Sequence, residues 1–154
     1  FLSVSFIAGA QISSTQIAGK WKLCGLNYQG SYVDLSNEET LRQSMFDIRK
    51  KLKPNDEITA SDSADMKKSA DDFKRKFERF NFNFYEDGSY KAIIQMDGMN
   101  DDEEGFYMVK KDELVLNKGG NKKSEKFAIR LPGDDRLYLT KMSSKEIEFI
   151  FKRR

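Results

Sequence analysis

The sequence has no histidine, one cysteine and two prolines in 154 residues. Without histidine it lacks the commonest general base near neutral pH and the commonest metal ligand. The lone cysteine, Cys24, excludes an internal disulfide, a thiolate metal cluster and a CxxC redox pair. No stretch approaches the roughly 20 apolar residues a helix needs to cross a bilayer. An excess of one charge is missing too. With 27 Lys and Arg against 25 Asp and Glu, the net charge is +2, which excludes a polybasic nucleic-acid binder or an acidic tail as the main activity. No nucleophile sits near a base, and acid pairs fall only in turns and on outward faces. The chain therefore reads as a non-enzyme without cofactor or metal site. What it does have is 12 Phe, 6 Tyr and 1 Trp within a 38% hydrophobic composition, the makings of one aromatic-rich globular domain.

Residues 1–10, Phe-Leu-Ser-Val-Ser-Phe-Ile-Ala-Gly-Ala, form a small, apolar run ending in an A-x-A pattern before Gln11. This reads as the residual tail of a secretory signal peptide and implies export to the periplasm or beyond. The competing reading is a short apolar arm packed on the domain. The basic n-region that would precede such a run is not in the sequence. The domain proper then spans residues 11–154.

Alternation begins at Gly19, with Trp21 and Leu23 on one face of a strand and Lys20 and Lys22 on the other. Strict alternation places Cys24 with Lys22 and Leu26, as an inert half-buried thiol. Ser36-Asn-Glu-Glu39 has the form of a capping box, and Leu41, Met45, Ile48 and Leu52 follow as a helical stripe that stops before Pro54. Met66, Ala70, Phe73 and Phe77 repeat the spacing after Ser61-Asp-Ser63, so residues 36–78 read as a helical pair. From Arg79 onward the period is two. Strands around Phe80–Phe84, Tyr90–Met96, Phe106–Val109, Leu114–Leu116, Phe127–Leu131, Leu137–Leu139 and Ile147–Phe151 are separated by turn signals such as Asp87-Gly88 and Pro132-Gly133. The acidic stretch 97–104 reads as a solvated turn, because it lacks the order of a calcium loop. Short connections force sequential strands to pair antiparallel. The expectation is a mainly β fold: an eight-stranded antiparallel up-and-down β-barrel with the helical pair inserted between strands one and two. A two-sheet sandwich is the alternative.

Gly19-Lys20-Trp21 on the first strand and Arg153 on the last resemble the signature of the lipocalin and calycin superfamily. That resemblance implies a basic side chain lying over the indole, so that Trp21 and Arg153 close one barrel end. It covers roughly residues 17–30 and 79–154 and is most similar to exported bacterial lipocalin-like domains. The helical pair in place of a lid loop departs from that pattern and is instead similar to intracellular fatty-acid-binding proteins.

Two functional readings emerge. In the first, the protein holds a small hydrophobic or amphipathic ligand in a lumen lined by Phe82, Phe84, Tyr90, Ile94, Phe106, Phe127, Ile129 and Phe149, with the helical pair as cap or gate. In the second, these side chains fill the barrel, and the protein works by surface contact as a cell-envelope or interaction module, with Phe46, Ile150 and Tyr85 facing outward. Neither reading involves nucleic acid or a membrane span, and the protein partner of the second is not specified by the sequence.

Overall fold

The computed structural model describes residues 11–28, 30–96, 99–119, 124–143 and 147–154, and within these the side chains of all but residues 76, 94–96 and 99–101. The apolar run at 1–10, on which export rests, therefore lies outside the described residues.

The first described element is a single helical turn, α1 (Ser14–Ile17), whose Ser13 and Gln16 form a reciprocal capping box. Strand β1 (Gly19–Tyr28) follows, then a short β2 (Ser31–Asp34) paired back on the second half of β1. The helices α2 (Glu38–Leu52) and α3 (Ala60–Phe77) come next. The meander runs through β3 (Asn81–Phe84), β4 (Ser89–Met96), β5 (Met99–Lys110), β6 (Glu113–Lys118), β7 (Glu125–Gly133), β8 (Arg136–Lys141) and β9 (Ile147–Arg153). Each strand from β3 to β9 pairs antiparallel with the next, and β1 pairs with both β3 and β9. The sheet thus closes on itself as an eight-stranded antiparallel barrel, which leaves no free edge among those eight strands. β1 serves two neighbours on one side: its first half pairs with β3 and its second half with β2.

Four local details differ from the sequence reading. The helical pair lies between β2 and β3, because Ser31–Asp34 forms a strand with a single buried apolar side chain, Val33, too short to show alternation. The cap of α2 is Asn37, whose side chain accepts from the amides of Glu39 and Thr40, while Ser36 turns back to the Asp34 carboxylate. Leu52 falls at the end of α2, off the packed stripe, and is exposed. The acidic stretch is not a turn from Met99 on: it belongs to β5, where Asp102–Glu104 pair with Lys91–Ile93 of β4.

A β-bulge between Leu23 and Gly25 breaks the alternation of β1. The extra residue inverts the facing of the rest of the strand, so Leu26 sits opposite Phe149 and is buried rather than sharing the face of Cys24. Two apolar clusters result. The larger fills the barrel from Trp21 and Ile17 through Phe82, Phe84, Tyr90, Tyr107, Leu116, Leu137 and Phe151. The smaller joins Leu26 and Val33 to Leu41 of α2 and Ala70 of α3, with Tyr28, Met45, Ile48, Phe73 and Ile147 packed around it. The helical stripes therefore bury themselves against the far ends of β1 and β9, capping one mouth of the barrel.

Candidate functional site

The other end of the barrel is sealed where α1 and the start of β1 meet the end of β9. Trp21 is fully buried, and its Nε1 donates to the carbonyl of Ile17 at 2.7 Å. Arg153 is the cross-strand partner of Trp21 and lays its guanidinium over the indole, 4.3 Å from Cζ to the ring centroid. The same guanidinium donates to the carbonyls of Asp134 (2.7 Å), Ala18 (2.7 Å) and Gln16 (2.6 Å), clamping α1 to the β7–β8 turn. Gly19 is required here. It has φ +132°, and a Cβ on it would lie 2.7 Å from the Arg153 guanidinium. The Gly-x-Trp spacing is thus the room that the arginine occupies. Each of the three guanidinium nitrogens of Arg153 donates to a backbone carbonyl, so this end closes the fold.

Above that seal the lumen is packed. Trp21, Phe84, Tyr90, Leu114, Leu116, Ile129, Leu137, Leu139 and Phe151 expose 0–1% of their surface, so they border no space that a water molecule could enter. Phe82 stacks on Phe84 with centroids 5.2 Å apart, and Phe84 meets Tyr107 edge-on at 4.9 Å. Of the sequence-derived lining residues, Phe82, Phe84, Tyr90, Phe127 and Ile129 do face inward, and there they fill the barrel. Phe106 does not. It is 66% exposed on the outer wall, and Tyr107 takes the inward place, donating its hydroxyl to the carbonyl of Tyr85 at 2.8 Å. Register decides this: Tyr90 faces Gly105 across β4 and β5, so Tyr107 shares that face. Gly105 carries no side chain where a Cβ would lie 3.0 Å from the Tyr90 ring and 2.1 Å from the carbonyl oxygen of Asn117. The side chain of Ile94 lies outside the described residues. Phe149 is inward and half-buried, toward the helix-capped mouth.

At that mouth two features meet the packed lumen. The first is an apolar pocket of about 280 Å³ between the helical pair and the barrel, lined by Leu26, Tyr28, Val33, Met45, Ile48, Phe73, Phe77, Ile147 and Phe149. Its walls come from β1, β2, β9 and both long helices, so the pocket exists only because the pair caps the barrel. The second is a chain of charges inside the barrel rim. Glu103 lies opposite buried Ala92, Lys118 opposite Gly105, Glu125 opposite Leu116, and Lys141 opposite Phe127, all on the inward face. Tyr90 donates its hydroxyl to Glu103, and Lys118 Nζ bridges Glu103 at 2.7 Å and Glu125 at 3.3 Å. Lys141 Nζ then reaches Glu125 at 3.3 Å.

The partners set the protonation of this chain. Burial alone would pull the Lys118 ammonium down, but the hydrogen bond and charge of Glu103, with Glu125 behind it, raise it above its ordinary value. Burial would raise the Glu125 carboxyl, yet Lys118 and Lys141 hold it below the usual range. Burial, then the bond to Glu103, pushes the Tyr90 phenol far up. Each group is therefore kept in its ordinary neutral-pH form. The sequence reading missed this network because it treated residues 97–104 as a turn. A signal was available: Lys118, Glu125 and Lys141 each continue the inward parity of a strand, at the same end of the barrel.

Cys24 is half-buried on the outer wall, where its Sγ accepts from Arg136 Nη1 at 3.0 Å, and burial pushes its thiol pKa up. Among the described residues no three or more Cys, Asp or Glu side chains gather as metal ligands, and no helix is long and apolar enough to cross a membrane.

No protein-family model matches the chain, and no curated protein matches it. Solved structures do. The crystal structure of a DUF4847 family protein from Bacteroides vulgatus ATCC 8482 is similar over 89% of this chain and 93% of that one, with 13% sequence identity and a TM-score of 0.55. An uncharacterized protein from Bacteroides eggerthii DSM 20697 is similar over 89% of this chain and 98% of its own, with 14% identity and a TM-score of 0.47. At 13% identity what is shared with the DUF4847 protein is the fold and not the chemistry, so the site is read from this chain's own residues.

Proposed function

We propose that the protein is an exported, non-catalytic binding module that takes a small apolar or amphipathic molecule into the pocket between its helical pair and the barrel mouth. The observation that carries this reading is the pocket itself: about 280 Å³ walled entirely by the apolar surface of aliphatic and aromatic side chains. That volume is close to the lower end for small-molecule sites, roughly 300–1,000 Å³. This reading places the ligand there and not in the lumen, whose floor is filled by Trp21, Phe84, Leu114 and Leu137. A ligand here would be held by apolar burial at about 25 cal/mol per Å². Export rests on the A-x-A run at residues 1–10, and is checked by finding the mature N-terminus after Ala10 in secreted or periplasmic fractions.

The test is a titration with the fluorescent dye 8-anilinonaphthalene-1-sulfonate, followed by displacement with decanoate. Saturable dye binding displaced by decanoate is expected. Ile48→Trp, which fills the pocket from α2, should weaken both by about tenfold, the worth of 1.4 kcal/mol. Unchanged binding by Ile48→Trp, or no saturable binding at all, would overturn the reading.

A second reading has its own observation. Phe106 and Met108, neighbours on the outward face of β5, are exposed at 66% and 53%, an apolar pair that a protein partner could cover. Of the outward residues taken from sequence for this role, Tyr85 is exposed but Ile150 is buried. The Tyr32 ring lies over Gly25, the cross-strand neighbour of Ile150.

A further inference from the structure

The outer wall of the barrel also carries a block of cations, separated from the apolar pocket by the Phe77 side chain that borders both. On the outward face Lys22 of β1 lies directly opposite Lys152 of β9, and Lys152 lies directly opposite Arg136 of β8. One rung nearer the closed end, the Arg154 amide donates to the Lys20 carbonyl, which sets a second cation pair beside the first. Like charges facing each other across a sheet destabilise it, and adjacent strands are only about 5 Å apart. Arg136 has partial compensation from Asp135 at 3.9 Å. Lys20, Lys22, Lys152 and Arg154 form no ion pair among the described residues. Folding alone does not favour that arrangement.

The block is also concave. The last turn of α3 rises beside it and brings Lys74 and Glu78, so that Lys22, Lys74, Lys152 and Arg154 line one groove of about 460 Å³. Arg153 borders the groove too, but its donors are committed to backbone carbonyls. Those carbonyls are neutral and leave its charge in place, so the lining side chains are five cations against the single carboxylate of Glu78, a side-chain surplus of four positive charges.

We propose that this groove binds a small soluble polyanion, a molecule carrying a di- or triphosphate group. Such a surplus matches an anion of high charge density rather than a lone carboxylate, and lysines meet phosphoryl oxygens as point charges. The wall formed by α3 favours a compact anion over the flat surface of a bilayer. An anion between Lys22 and Lys152 would turn the repulsion across β1 and β9 into a shared contact. This site is on the outside of the barrel, and its cations take no part in the apolar pocket.

Inorganic pyrophosphate is the probe, followed by titration calorimetry at low and moderate salt. Saturable binding that weakens as salt rises is expected. The Lys22→Gln/Lys152→Gln double variant should bind about tenfold more weakly, having lost two charge-assisted contacts. Its own melting temperature should equal or exceed that of the wild type, since the cross-strand repulsion is gone, so the loss is not one of folding. Lys74→Gln, on the helix instead of the sheet, tests the same groove independently and should weaken binding several-fold. Lys126→Gln, whose lysine pairs with Glu113 elsewhere on the barrel, should bind as the wild type does. Ile48→Trp should leave pyrophosphate binding intact, which separates this site from the pocket. Absence of saturable binding, wild-type binding by the double and Lys74 variants, or binding to phosphatidylglycerol vesicles without binding to pyrophosphate would each overturn the proposal.

Discussion

Trp21→Ala is expected to lower the unfolding free energy by about 3–5 kcal/mol, the cost of deleting a large aromatic from a site that cannot collapse. The side chain is fully buried, its indole nitrogen is bonded to Ile17, and Phe82 and Arg153 flank it across the neighbouring strands. Arg153→Ala should cost about 2–3 kcal/mol. The stacking contributes ~0.5–2 kcal/mol, and the three bonds to carbonyl groups are partly replaced by water. Arg153→Lys should recover little of it, because an ammonium cannot reach Gln16, Ala18 and Asp134 at once while covering the ring. Arg154→Ala, with its side chain exposed on the opposite face, should stay within about 0.5 kcal/mol of the wild type. Denaturant melts of the four variants check this, and equal costs for Arg153 and Arg154 would contradict it.

Lys118→Met should be the next largest loss, about 2 kcal/mol at neutral pH. Removing the shared cation leaves Glu103 and Glu125 facing each other at the rim, and a broken buried pair costs about 3–5 kcal/mol when solvent is fully excluded. Here the Lys118 and Glu103 side chains keep 21% and 12% of their exposure, which moderates the cost. The pH dependence has a definite sign. Glu125 is held below its ordinary value in the folded state, so its contribution is present above the unfolded carboxylate pKa, about 4.3, and is lost as pH falls through the lower folded value. Lys118 is raised, so its contribution is present below about 10.4 and is lost only as pH rises through the higher folded value. The difference between wild type and Lys118→Met should therefore be flat across neutral pH and shrink on acidification below the carboxylate range. Urea melts from about pH 3 to pH 8 span that range and read it directly, and a difference that grew toward low pH would contradict the network.

Most of the architecture was legible in the chain because alternation and turn chemistry are local signals. Trp21 and Leu23 against Lys20 and Lys22, the Asp87-Gly88 turn, and the stripe of Leu41, Met45 and Ile48 each come from spacing alone. The illegible parts depended on partners. Phe106 and Tyr107 are adjacent aromatics, and only the pairing of β5 with β4 decides which points inward. Leu26 changes face through a bulge that no residue type announces. The acidic run in β5 looks like a turn until Lys91 is seen opposite Glu104 and Lys118 beside Glu103. The candidate site was misplaced for the same kind of reason. Composition gives the inward aromatics but not the lumen they must fit, and an eight-stranded barrel is just narrow enough for side chains to fill. Phe149 alone among the sequence-derived lining residues borders the apolar pocket at the helix-capped mouth.

On the proposed reading a ligand sits at the helix-capped mouth and is excluded from the barrel floor. Side-chain methyl and aromatic NMR spectra during a decanoate titration test that placement residue by residue. Shifts are expected at Met45, Ile48, Phe73, Ile147 and Phe149, which line the pocket, while Phe84, Leu114 and Leu137 on the packed floor stay still. Saturable shifts at Phe84, Leu114 and Leu137 with Ile48 and Phe149 unmoved would contradict it.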